Sequence, residues 1–118
     1  MFDEVTSVSL LYDFYGNLLS DRQREVVGMH CDDDLSLGEI AEELGISRQG
    51  VHDALKNGMR ALEEYEEKLG MVRKFSEETE AVRKIDEEIS FIIEQYSGDE
   101  GLKKRLSAIR KIIDGMDI

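Results

Sequence analysis

SLGEIAEELGISRQGVHDALKNGMR, residues Ser36 to Arg60, is the stretch that decides how this chain folds. Ser36 is followed three residues later by Glu39, the spacing of a capping box, which starts a helix at Leu37. Along it Ile40, Ala41 and Leu44 share one face, while Glu39, Glu42 and Glu43 lie outward. Ala41 is small where two crossing helices approach. Gly45 follows the last apolar residue, where a C-terminal cap takes a left-handed backbone that glycine adopts without steric cost. Ile46 tucks under the turn, and Ser47 is the next N-cap. The reading is a helix, a turn built on Ala41, Gly45 and Ile46, and a second helix.

In that second helix Val51, Ala54 or Leu55, Met59 and Leu62 form the buried stripe. Arg48, Gln49, His52, Asp53 and Lys56 are left exposed near its start, where a recognition helix presents side chains to base edges. Arginine can bond guanine bidentately, and glutamine can do the same to adenine. Ser47 and the first helical amides suit a phosphate, and Lys56 and Arg60 are placed for backbone contacts. The expected DNA-binding set is therefore Ser47, Arg48, Gln49, His52, Asp53 and Lys56. The same face also reads as the solvated side of a core helix, and helix-turn-helix architecture serves protein docking as well.

Upstream, Val8, Leu11, Tyr12 and Tyr15 have helical spacing from about Glu4, and Gly16-Asn17 ends that run. Ser20 with Gln23 is another capping box, opening a helix from Asp21 to about Cys31 that buries Val26, Val27 and Met29 or His30. Asp32-Asp33-Asp34 is a solvated turn. Downstream, the second motif helix meets no stop signal until Gly70, so it is expected to continue as a stem through Leu62, Tyr65 and Leu69, then Val72 and Phe75. Ser76 with Thr79 or Glu80 starts a further helix carrying Val82, Ile85, Ile89, Ile92 or Ile93, and Tyr96. A turn at residues 97–101 leads to a last helix with Leu102, Leu106, Ile109, Ile112 or Ile113, and Met116. The expected fold is all-α: a helix-turn-helix head, a long stem helix and a C-terminal helical hairpin. Residues 1–75 form a wingless helix-turn-helix domain with an extended recognition helix, and residues 76–118 a hairpin that either packs within the chain or serves, the reading preferred, as a dimerisation element. Isolated hairpins bury too little apolar surface to stand alone.

The 118 residues include no proline, which favours long uninterrupted helices, and 41% are hydrophobic, enough for a real core. One cysteine makes no internal disulfide, the N-terminal MFDEVTSVSLLYDFYG lacks a signal-peptide layout, and no apolar run spans a bilayer. The expectation is a cytoplasmic protein with no membrane role. The formal net charge of −12 works against DNA, whose affinity comes largely from phosphate neutralisation. Between Ser47 and Arg60, however, three basic residues face one acidic one. Glu63, Glu64, Glu66 and Glu67 follow at once, confining any duplex to the first turns of the helix and calling for two copies on adjacent half-sites.

His30-Cys31-Asp32-Asp33-Asp34 offers metal-liking side chains, but neighbours on a helix diverge and no second Cys or His cluster lies nearby. No carboxylate pair sits beside a nucleophile or a glycine-rich loop, and no nucleotide fingerprint occurs. No metal, cofactor or enzymatic activity is expected. Direct RNA recognition lacks the stacking aromatics on the candidate face.

The stretch LLSDRQREVVGMHCDDDLSLGEIAEELGISRQGVHDALKNGMRALEEYEEKLG resembles region 4 of bacterial sigma factors. More closely, residues from about Leu10 to Phe75 resemble the YlxM-type family of small bacterial helix-turn-helix proteins. The entry segment from Phe14 to Gln23 and the ISRQ-x-V core from Ile46 to Val51 carry that resemblance, while residues after Ser76 match only in being acidic and helical. The resemblance implies a DNA-binding regulator. It also implies an association with the signal recognition particle pathway, because the family's genes tend to lie beside that of the particle's GTPase. On the sigma-like pattern Arg48, Gln49, His52 and Asp53 read bases, and Ser47 and Lys56 touch the backbone.

Overall fold

A computed structural model of the chain describes residues 4–116; the extreme ends of both expected segments, residues 1–3 and 117–118, lie outside the described residues. The described chain is helical throughout: α1 (Glu4–Tyr15), α2 (Asp21–Cys31), α3 (Leu37–Leu44), α4 (Arg48–Leu69), α5 (Met71–Gln95) and α6 (Glu100–Asp114), with a 3-10 turn at Gly16–Leu18. It divides into two compact units, one through Val72 and one from Arg73.

In the first unit α2, α3 and α4 each start with a local cap. Ser20 and Gln23 form a full capping box on α2, and Ser36 and Glu39 form another on α3. The Ser47 side chain accepts from the Gly50 amide at 3.0 Å to open α4. Gly45 ends α3 with φ 66°, and the Ile46 amide reaches back to the Ala41 carbonyl at 3.1 Å, the six-to-one bond of a Schellman motif. That bond places Ile46 beneath the turn, where it packs on the core.

Two apolar clusters share α2 between them. Val26 joins Ile40, Ala41 and Val51 in the helix-turn-helix cluster. Its neighbour Val27 joins Tyr15, Leu19, Leu62 and Val72 in a second cluster on the other side. Both valines are fully buried, and half-buried Leu55 of α4 touches both clusters. Each such side chain contributes about 1.5–3 kcal/mol, so the head is a well-formed core. Where α2 crosses α4, Gly58 replaces a side chain: a Cβ there would stand 2.8 Å from Val27 Cγ2.

The second half of α4 was expected as a stem. It is a single 22-residue helix to Gly70, but Leu62 and Tyr65 remain packed beside Tyr15 of α1, and Leu69 is exposed. The stem is thus flanked by α1, a partner that sequence periodicity on α4 alone does not show. α5 begins at Met71, five residues ahead of the Ser76 expected from its capping pattern. Its first amides are satisfied from afar. The Met71 amide donates to the Tyr15 hydroxyl at 3.0 Å, and the Val72 amide to Glu66 Oε1 at 2.9 Å. The Tyr15 hydroxyl itself donates to Glu66 Oε1 at 2.6 Å.

The second unit holds the rest of α5 and α6, joined through residues 96–99, with the Asp99 side chain capping α6. Arg110 ties the helices together, donating to the Asp86 carboxylate at 2.9 Å and to the Ser90 hydroxyl. Ile89 and Leu106 are its buried apolar residues. Two such side chains contribute about 3–6 kcal/mol, against an ordering cost of about 1 kcal/mol or more for every residue fixed.

Candidate nucleic-acid interface

The six expected residues lie at the N-terminal end of α4 and are all exposed. Their backbone is held by the Ser47 cap, by the left-handed Gly45 turn and by fully buried Val51, which anchors the first turn in the core. Ser47 accepts the cap bond on its hydroxyl oxygen, which leaves the O–H able to donate to a phosphate beside the helix-terminal amides.

Arg48 lies back across the start of α3. A Cβ built on Gly38 would stand 3.2 Å from its Nη2 and 3.4 Å from its Nε, so glycine leaves the space the guanidinium occupies. Gln49 Nε2 donates to Asp53 Oδ1 at 3.0 Å, and His52 Nδ1 lies 3.7 Å from the same oxygen. Asp53 is therefore the hub of the face, holding the Gln49 amide along the helix. Lys56 stands one turn further on, beside His52, Leu55, Met59, Arg60 and Glu63, around a shallow open hollow on α4. A second shallow hollow runs from Ser36 and Gly38 past Gly45 to Arg48.

The sequence places the six residues on one surface. The Gln49–Asp53 pair was legible as an i, i+4 couple; the Gly38 recess under Arg48 was not, because it needs the crossing of α3 and α4.

Other tempting groups stand apart. His30 Nδ1 is 3.4 Å from the Leu35 carbonyl oxygen. Cys31 is half-buried, and burial followed by the charge of Asp32 pushes its thiol pKa up, away from a reactive thiolate. Among the described residues no group of three or more His, Cys, Asp or Glu side chains could hold a metal, and no helix is long and apolar enough to cross a membrane.

A capped α3, a left-handed glycine turn and an α4 whose first turns are solvent-facing define a helix-turn-helix protein. Residues 2–100 match the family model described as "Putative helix-turn-helix protein, YlxM / p13 like", and the chain belongs to that family. A UPF0122 protein of Desulforamulus reducens is 42% identical over 113 residues, 94% of each chain. One of Caldanaerobacter subterraneus subsp. tengcongensis is 55% identical over 87 residues, 74% of each. One of Bacillus cereus is 43% identical over 112 residues, covering 95% of this chain and 99% of its own.

Proposed function

We propose that the chain is a DNA-binding regulator that sets the first turns of α4 into the major groove, working in the cytoplasm as a homodimer formed through residues 76–118. The observation that carries the reading is the rigid, exposed start of α4, where Ser47, Arg48, Gln49, His52, Asp53 and Lys56 share one surface held by the Gly45 turn and buried Val51. Arg48 and Gln49 read base edges, and Lys56 contacts phosphate. In this reading a duplex releases Gln49 from Asp53 and draws Arg48 off Gly38.

The test is a titration of a labelled mixed-sequence duplex at several salt concentrations. Binding that weakens linearly in log–log form as salt rises is the expected result, the mark of counterion release. No binding at about 50 mM salt, where phosphate contacts are strongest, contradicts it.

A second reading rests on the Asp53 hub and the net charge of −12. In it the same face docks on a basic protein surface, such as a component of the signal recognition particle machinery. Binding to such a component that the Arg48→Ala, Gln49→Ala double variant abolishes, alongside no duplex binding, would select this reading.

A further inference from the structure

The second unit carries an apolar face whose residues are exposed. On α5, Asp86 and Ser90 flank Ile89 on the side that meets Arg110, while Ile85, Ile92 and Tyr96 fall on the other side at helical spacing. On α6, which runs back antiparallel, Arg110 lies to one side of Leu106, and Ile109, Ile112 and Met116 lie to the other. Because the helices are antiparallel, the two uncovered flanks fall on the same face of the hairpin. Ile85 is 44% exposed, Tyr96 58% and Ile112 68%. A two-helix layer with one bare apolar face needs a second layer over it.

The rims of the face say what that layer is. Along the outer edge of α5, Glu88 sits between Ile85 and Ile92, with Lys84 one turn before it and Glu77 further along. On α6, Arg105 falls within the same stripe as Ile109 and Ile112, one turn before Ile109. Glu88 and Arg105 are exposed and form no ion pair among the described residues. α6 is basic in a strongly acidic chain, with five basic residues against two acidic. A partner of uniform charge would be repelled at one rim. A second copy of this chain carries both signs in complementary places.

We propose that this face packs on the same face of a second copy, with α5 of each chain lying against α6 of the other. A two-fold axis parallel to the helices produces this arrangement, giving a four-helix bundle whose neighbouring helices are all antiparallel. It brings Glu88 of each chain within about one helical turn of Arg105 of the other, judged from the level set by the Arg110–Asp86 pair. The alternative two-fold, with α5 on α5 and α6 on α6, sets two basic α6 stripes carrying Arg105 against each other and is disfavoured. The inference rests on the dimeric part of the function proposed above and gives it a face and an orientation.

The experiment is the molar mass of the full chain by light scattering across a concentration series at low salt, where rim charges are least screened. The parent is expected at twice 13.5 kDa. Ile112→Glu, a change at a position exposed in the single chain, is expected to yield monomer with helix content unchanged. Glu88→Arg and Arg105→Glu should each raise the dimer dissociation constant about tenfold, since each change acts at both symmetric contacts. Combined, they should return it to within about threefold of the parent. A parent that stays at 13.5 kDa at every concentration overturns both the dimer and its arrangement. A dimer indifferent to Ile112→Glu, or a combined variant no tighter than the single ones, overturns the face or the orientation while leaving dimerisation standing. Loss of duplex binding by an intact dimer would strike the DNA reading alone.

Discussion

Gln49 donates to Asp53 at 3.0 Å along the recognition surface, and the carboxylate that holds it would face the phosphates of any bound duplex. On the proposed reading Asp53 does two opposed things: it orders the Gln49 amide and repels a duplex. Replacing it by Asn keeps an acceptor for Gln49 and removes the charge. Asp53→Asn is expected to tighten duplex binding about three- to tenfold at 0.1 M salt while leaving stability within about 0.5 kcal/mol. Unchanged or weakened affinity by fluorescence anisotropy would mean that Asp53 does not face the duplex. The residue types of this surface were readable from helical spacing, since which positions of α4 are exposed depends only on where its buried stripe runs. What Arg48 rests on was not, because Gly38 belongs to another helix.

At the scale of the element, the caps of α2, α3 and α4 were legible because each is local, with donor and acceptor three residues apart. The start of α5 was not, because its cap comes from Tyr15 and Glu66, which lie 51 residues apart in the chain. Tyr15 is 1% exposed and ties α1, α4 and the first turn of α5 into one joint. Burial first, and then the hydrogen bond to Glu66, raise its pKa above the ordinary 10.0. A raised tyrosine pKa means stability that is complete below pH 10.0 and drains away as pH climbs through the folded value. Tyr15→Phe should lose about 1–2 kcal/mol at neutral pH, leaving Glu66 and the Met71 amide one partner short. It should also soften the alkaline loss of stability; denaturant melts at pH 7 and above pH 10 that superimpose on the parent's would refute the joint. Two glycines give a contrasting pair, Gly58 where α4 crosses α2 and Gly28 where α2 meets α1. Gly58→Ala drives a methyl to 2.8 Å from fully buried Val27, and overpacking should outweigh the gain in helix propensity by about 1–2 kcal/mol. At Gly28 the obstacle is the Tyr12 hydroxyl, the far end of a side chain that can swing, so Gly28→Ala should change stability by less than about 0.5 kcal/mol. A Gly58→Ala protein that melts above the parent would mean the helices can part there freely. Neither close approach is visible in periodicity, which reports faces and not distances.

Across the whole molecule, the charge is apportioned rather than spread. The net −12 leaves the start of α4 locally basic and α6 basic, while α3 and the far half of α4 are acidic. A duplex is thereby limited to the first turns of α4, where a single copy has few phosphates to neutralise. On the proposed dimer, two copies joined through the hairpin would present two such edges, and their targets should show matching two-fold symmetry. Helix order could be read from apolar stripes and glycine stops, since both are patterns within single segments. The basic character of α6 was equally legible but is masked by the overall acidity. The flanking of α4 by α1 arises only on folding. The most direct measurement is selection of bound duplexes from a random pool at near-physiological salt, with the Arg48→Ala, Gln49→Ala double variant alongside. Enrichment of a two-fold symmetric motif by the parent, lost in the variant, is the predicted result; no enrichment by the parent, or the same motif recovered by both, would contradict base reading by the start of α4.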